Sequence, residues 1–236
     1  ISGWKSPMTF KNTPPAISRR NLLARGAAFA TIPLIATKAH SQMEPKPRPA
    51  KVTLFDRERF VEDCIRAHLE TDPVSAVRDV LARAVSDPSS VLAGLGAPRQ
   101  AGLDVLLSSR TLTIFAASWT PQMNLLPHDH AMWALIGIYT GREDNILWRQ
   151  GEQGLKACAA NCLFEGDVAT LEADAIHSVT NPLLRFTGGI HIYGGDFFAT
   201  DRHQWNPETL AQEPSDGETI RAMFARENER YNKTCL

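Results

Sequence analysis

The chain has 236 residues, 43% of them hydrophobic, which suits one domain of ordinary size with a real apolar core. A formal net charge of -1 gives no basis for nucleic-acid binding or for attachment to an anionic membrane surface. The four cysteines, Cys64, Cys158, Cys162 and Cys235, make no CxxC pair and lack zinc-finger spacing. On one straight strand Cys158 and Cys162 would stand about 13 Å apart, too far for a disulfide.

The first predicted element is an address. Ser18-Arg19-Arg20-Asn21-Leu22-Leu23 precedes a weakly apolar run, Gly26 to Ala36, and small residues follow at Ala39 and Ser41. This is the layout of a bacterial export signal, and the Arg pair looks like the twin-arginine type. The run is shorter than the about 20 residues a membrane span requires. Met8 precedes the Arg pair, so residues 1–7 are expected to lie upstream of the natural start. The mature protein is expected to begin near Gln42 and to work in the periplasm, with the twin-arginine machinery as its export partner. Residues 43–52, with Glu44-Pro45-Lys46-Pro47-Arg48-Pro49, read as an extended linker.

Residues 53–102 have helical character. Phe55, Phe60, Val61, Cys64 and Ile65 recur at helical steps, and Asp72-Pro73 predicts a capped start for a second helix. Asp87-Pro88 ends it, and a short third helix is expected over Ser89–Leu95. From residue 103 to 236 the pattern changes. Short runs rich in β-branched and aromatic residues predict strands at about 104–108, 111–118, 132–140, 143–150, 155–163, 168–171, 175–180 and 185–193. So many short strands argue for a mainly β barrel or sandwich, with the early helices packed on one side. A polar C-terminal extension is predicted to end in a helix over 216–232.

Among the seven histidines, His128 and His130 are two apart, so on a strand both imidazoles face the same way and Asp129 the other. A third candidate is His177, ten residues beyond Gly166-Asp167. These two segments, in this order, resemble the two cupin motifs. The resemblance implies a double-stranded β-helix (jelly-roll) barrel that holds one metal ion. The general cupin pattern has a Glu four or five residues after the HxH. Here those places hold Ala134 and Leu135, which leaves three neutral imidazoles and no carboxylate ligand.

Gly188-Gly189-Ile190-His191-Ile192-Tyr193 narrows the choice. With Pro127-His128-Asp129-His130 and Trp133-Ala134-Leu135-Ile136-Gly137 it resembles the thiol dioxygenases, the family of cysteine dioxygenase and 3-mercaptopropionate dioxygenase. What that implies is Fe(II) on His128, His130 and His177, with His191 and Tyr193 as the His and Tyr of a Ser-x-His-x-Tyr triad. The triad Ser falls on Gly189, so the first hydrogen bond of that relay is absent or supplied by water. The cysteine that crosslinks the Tyr in animal cysteine dioxygenases falls on Leu135. Arg202 resembles the residue that holds the substrate carboxylate in the mercaptopropionate branch, and Arg110 is a second candidate. The implied substrates are a small thiol and O2, and the implied product is a sulfinate. Two other readings use the same residues: a zinc or manganese cupin enzyme, and a non-catalytic periplasmic metal- or ligand-binding cupin.

Overall fold

The computed structural model describes residues 54–234. The stretches read as export signal and linker lie outside the described residues. Three helices come first: α1 (Arg57–His68), α2 (Pro73–Val85) and α3 (Pro88–Leu95). Each opens on an aspartate whose side chain accepts a backbone N–H three residues on: Asp56 from Arg59, Asp72 from Ser75 and Asp87 from Ser90. Pro73 and Pro88 follow two of these caps at the first helical position, where a missing N–H costs nothing.

Eleven strands follow: β1 (Gly102–Ser108), β2 (Thr113–Trp119), β3 (Asn124–Asp129), β4 (Ala134–Thr140), β5 (Arg142–Gly151), β6 (Gly154–Phe164), β7 (Val168–Leu171), β8 (Ile176–Thr180), β9 (Thr187–Tyr193), β10 (His203–Trp205) and β11 (Gln212–Pro214). Helix α4 (Gly217–Thr234) closes the chain. One sheet has the order β1-β2-β9-β4-β7 and the other β11-β10-β3-β8-β5-β6. All pairings are antiparallel. From β2 to β9 the chain alternates between sheets, symmetrically about the β5–β6 hairpin. That is the strand order of an eight-stranded jelly roll, the architecture of the cupins. The chain is therefore mainly β with N-terminal helices on one side.

The three central strands of the five-stranded sheet, β2, β9 and β4, are buried on both faces, which explains their near-continuous apolar runs. On β4, Ala134, Ile136 and Ile138 point into the barrel beside Phe115, Trp119 and Tyr193. Leu135 and Tyr139 point outward, with Ile190 and Ile192, onto Val77, Leu81 and Val91 of the helices. Helix α2 approaches closely over Gly137, where an added Cβ would lie 2.8 Å from Cδ1 of Leu81.

Two expectations require correction. Strand β3 lies in a stretch that the sequence pattern leaves unassigned. Pro127 lacks an N–H for the ladder, and the register of β3 against β8 shifts between Leu125 and His128. The histidine pair is not carried on one strand. His128 is on β3 in the six-stranded sheet, and His130 comes just past its end. Ala131 then takes a positive φ of 54° and the chain crosses to β4 in the other sheet.

Candidate metal centre

The centre forms where β3 and β8 lie side by side. His128 and His177 are direct partners across that ladder, and the turn after β3 brings His130 back over them. One ring nitrogen from each of His128, His130 and His177 lies within 4.8 Å of the other two. His130 and His177 are each only 1% exposed.

The outer nitrogens of two rings are already engaged. Nδ1 of His128 is 3.0 Å from the Leu126 carbonyl, and Nδ1 of His177 is 2.7 Å from Oδ1 of Asn145. Nε2 is thus left free on each. Nε2 of His177 lies 3.3 Å from Nε2 of His130. Two nitrogens bound to one ion at about 2.0–2.1 Å stand about 3.0–3.4 Å apart, so this spacing fits a shared cation. Burial holds all three imidazoles neutral, as ligation requires: it pushes His128 down to about 4, and His130 and His177 well below the ordinary range. A donor set of three imidazoles suits iron, zinc, copper or nickel.

Beyond the ligands lies a buried polar array that the sequence pattern does not reveal. Glu143 on β5 is fully buried. Its Oε1 accepts from Nδ2 of Asn145 at 3.1 Å and its Oε2 accepts from Nε1 of Trp119 at 2.9 Å. The same Oε2 lies 3.6 Å from Nε2 of His191, within ion-pairing range though longer than a hydrogen bond. Nδ1 of His191 faces the Tyr193 hydroxyl at 3.3 Å. Burial alone would raise the Glu143 carboxyl, but the His191 ring, the Asn145 amide and the Trp119 indole outweigh it and hold it below its ordinary value. Burial pushes the Tyr193 phenol up, and the Glu143 charge adds to the effect. Asn145 therefore touches both a candidate ligand and the carboxylate beside His191.

The other expected residues divide. Arg202 lines the same cavity as His128, His177, His191 and Tyr193. Its guanidinium carbon sits 3.9 Å over the Phe197 ring, and its Nε is buried with no hydrogen-bond partner. Arg110 is exposed in the turn after β1 and lines no part of the cavity. Residue 135 does not face Tyr193. Leu135 packs outward toward the helices, and Ala134 is the register partner of Tyr193. The residue opposite Tyr193 in the ladder is alanine, which can form no crosslink. Gly189 faces the site as the resemblance implies, since a Cβ there would lie 3.3 Å from Nε2 of His191. The Glu143 carboxylate lies 3.6 Å from that same nitrogen. Asp129 turns away from the metal centre and holds the backbone N–H and Nδ1 of His203. Cys158 and Cys162 are both on β6 and, with Cys64, are free thiols.

No protein-family profile matches the chain, and no curated protein matches it. Solved structures do. A double-stranded β-helix protein from Klebsiella pneumoniae is 13% identical over 50% of this chain and 89% of its own, with a TM-score of 0.34. An RmlC-like cupin from Methanocaldococcus jannaschii is 9% identical over 42% and 84%, with a TM-score of 0.37. A cupin domain from Bordetella pertussis is 19% identical over 42% and 97%, with a TM-score of 0.32. The strand order described above, not these likenesses, carries the fold.

Proposed function

We propose that the protein is an iron-dependent dioxygenase that converts a small thiol of the cysteine or 3-mercaptopropionate type to its sulfinate with O2. The observation that supports this most is three clustered neutral imidazoles, His128, His130 and His177, two of which, His128 and His177, line a cavity together with Tyr193 and Arg202. The conversion balances: both atoms of O2 are added to one thiol sulfur, which is oxidised by four electrons as the O2 is reduced, and the thiol proton ends on the sulfinic acid. An Fe(II) ion held by the three histidines would supply a Lewis acid for the sulfur and a redox partner for O2.

The remaining work falls to side chains of this chain. Arg202 would hold a substrate carboxylate through paired N–H donors, which fixes where the sulfur lies. Ionised Glu143 beside Nε2 of His191 favours a proton on that nitrogen, so Nδ1 accepts from the Tyr193 hydroxyl. His191 and Tyr193 would thereby orient one phenol oxygen toward the reacting groups. Phe115, Phe197 and Phe224 would exclude water. We place the reaction in the periplasm, supported by the Arg19-Arg20 pair ahead of its apolar run.

The test is O2 uptake by the iron-loaded full chain with cysteine, 3-mercaptopropionate and cysteamine. Uptake matched mole for mole by sulfinate, and lost in His177→Ala, is expected. Fully iron-loaded protein that oxidises none of these or longer thiols would overturn the proposal, and activity with zinc alone would replace it with a hydrolytic or isomerising cupin.

A further inference from the structure

The cavity over the candidate metal centre has a volume of about 370 Å³. At about 30 Å³ per water it has room for roughly a dozen waters, and a three-carbon thiol acid would displace only about four. The rest of the space is not built for water. Leu103 and Val105 of β1, Leu125 of β3, Val179 of β8, and Ile220 and Phe224 of α4 form an apolar wall beyond the histidines. Phe224 stacks on Trp119 at a centroid distance of 5.7 Å, so the C-terminal helix is part of that wall.

The charges that line the cavity have one sign. Arg202 and Arg221 line it, and no aspartate or glutamate does. Among the described residues Arg202 makes no ion pair, and its Nε is buried without a partner. Asp129, the acid between His128 and His130 in the chain, is already held by His203. Glu143 is fully buried beneath the surface and committed to Trp119 and Asn145. A carboxylate thus finds a waiting cation, whereas an ammonium group finds no counter-ion and would sit among arginines and apolar side chains.

From the apolar wall and the unpaired arginine we infer that the substrate is an amine-free thiol carboxylate with an aryl or branched apolar body, the body lying against Ile220 and Phe224. This rests on the thiol dioxygenase reading for the reacting group. The carboxylate and apolar subsites stand on the cavity itself.

Calorimetric titration of the zinc-loaded full chain tests it without turnover. The probes are cysteine, 3-mercaptopropionate, 2-benzyl-3-mercaptopropionate and the thiol-free 3-phenylpropionate. The benzyl thiol is expected to bind about tenfold or more tighter than 3-mercaptopropionate, and cysteine weakest. Ile220→Trp, which fills the apolar end, is expected to erase the benzyl advantage while leaving 3-mercaptopropionate within about twofold. Arg202→Met is expected to weaken every carboxylate. Equal affinities for the benzyl and unsubstituted thiols, or cysteine binding as tightly as either, would overturn the inference. Binding of 3-phenylpropionate that Ile220→Trp abolishes supports the apolar subsite even if no thiol is oxidised, so failure of the reaction and failure of the subsite are separable.

Discussion

Glu143 and His191 come from different sheets, and the Oε2 of one lies 3.6 Å from the Nε2 of the other. The opposite ring nitrogen of His191 faces Tyr193 at 3.3 Å. The carboxylate therefore occupies the side of the imidazole where the thiol dioxygenase pattern would have the serine that Gly189 lacks. Glu143→Gln keeps the volume but removes the charge that sets the His191 tautomer. Its expected effect is a loss of about 10–100-fold in turnover, in the range of other groups that orient a reactive side chain. Nitrogen NMR of the His191 ring checks the cause: Nε2–H dominates in the parent and loses that dominance in the variant.

Gly189→Ser tests the same relationship from the other strand. The new Cβ would lie 3.3 Å from Nε2 of His191 and 3.0 Å from Cδ1 of Ile138, whose flexible end has to shift. A stability cost of about 1–3 kcal/mol is expected by denaturant unfolding. In the Glu143→Gln background the added hydroxyl is expected to recover part of the lost turnover. No recovery, with the fold intact, would show that the hydroxyl and the carboxylate are not interchangeable there.

Asn145 gives a prediction about the metal alone. Its Oδ1 holds Nδ1 of His177 at 2.7 Å and so leaves Nε2 as the nitrogen that would face an ion. Asn145→Ala is expected to weaken metal binding by about 10–100-fold while the far-ultraviolet circular dichroism is unchanged. Competition against a chromophoric chelator measures it.

The buried histidines also set a pH dependence for the metal-free protein. They stay neutral in the fold, while the unfolded chain takes up protons below about 6.5. The unfolded state then binds more protons, so stability is present above about 6.5 and declines as pH falls. The His128 contribution to this decline ends near pH 4, where the folded protein also protonates it. Urea unfolding of metal-free protein between pH 7 and 4 should show the decline, and His130→Ala should flatten it.

How far this centre could be read from the sequence follows from the physics of its parts. The three clustered histidines were legible as candidate ligands because an HxH pair and a later histidine, set among short β-type runs, have few other uses. The capped start of α2 was legible from Asp72-Pro73. Strand β3 was not, because Pro127 interrupts its ladder and only Leu125 and Leu126 mark it as apolar. Glu143 and Asn145 fall in the predicted strand 143–150, but Arg142-Glu143-Asp144-Asn145 is polar throughout, and no apolar residue in it marks the inward face. The alternation was the available signal: Arg142 and Asp144 pair outside at 2.5 and 2.8 Å, while Glu143 and Asn145 point in. The role of α4 was invisible because Ile220 and Phe224 are sparse apolar positions in a charged helix, and only the fold shows what they cover.

The most direct measurement of the central claim is metal stoichiometry. The full chain, stripped and then dialysed anaerobically against Fe(II), is compared with His128→Ala, His130→Ala and His177→Ala by elemental analysis. One ion per chain in the parent, and a fall to background in each of the three variants that still folds, is the expected result. Retention of the ion in folded protein lacking any one of these histidines, or no stoichiometric metal in the parent with iron or zinc, would contradict the assignment.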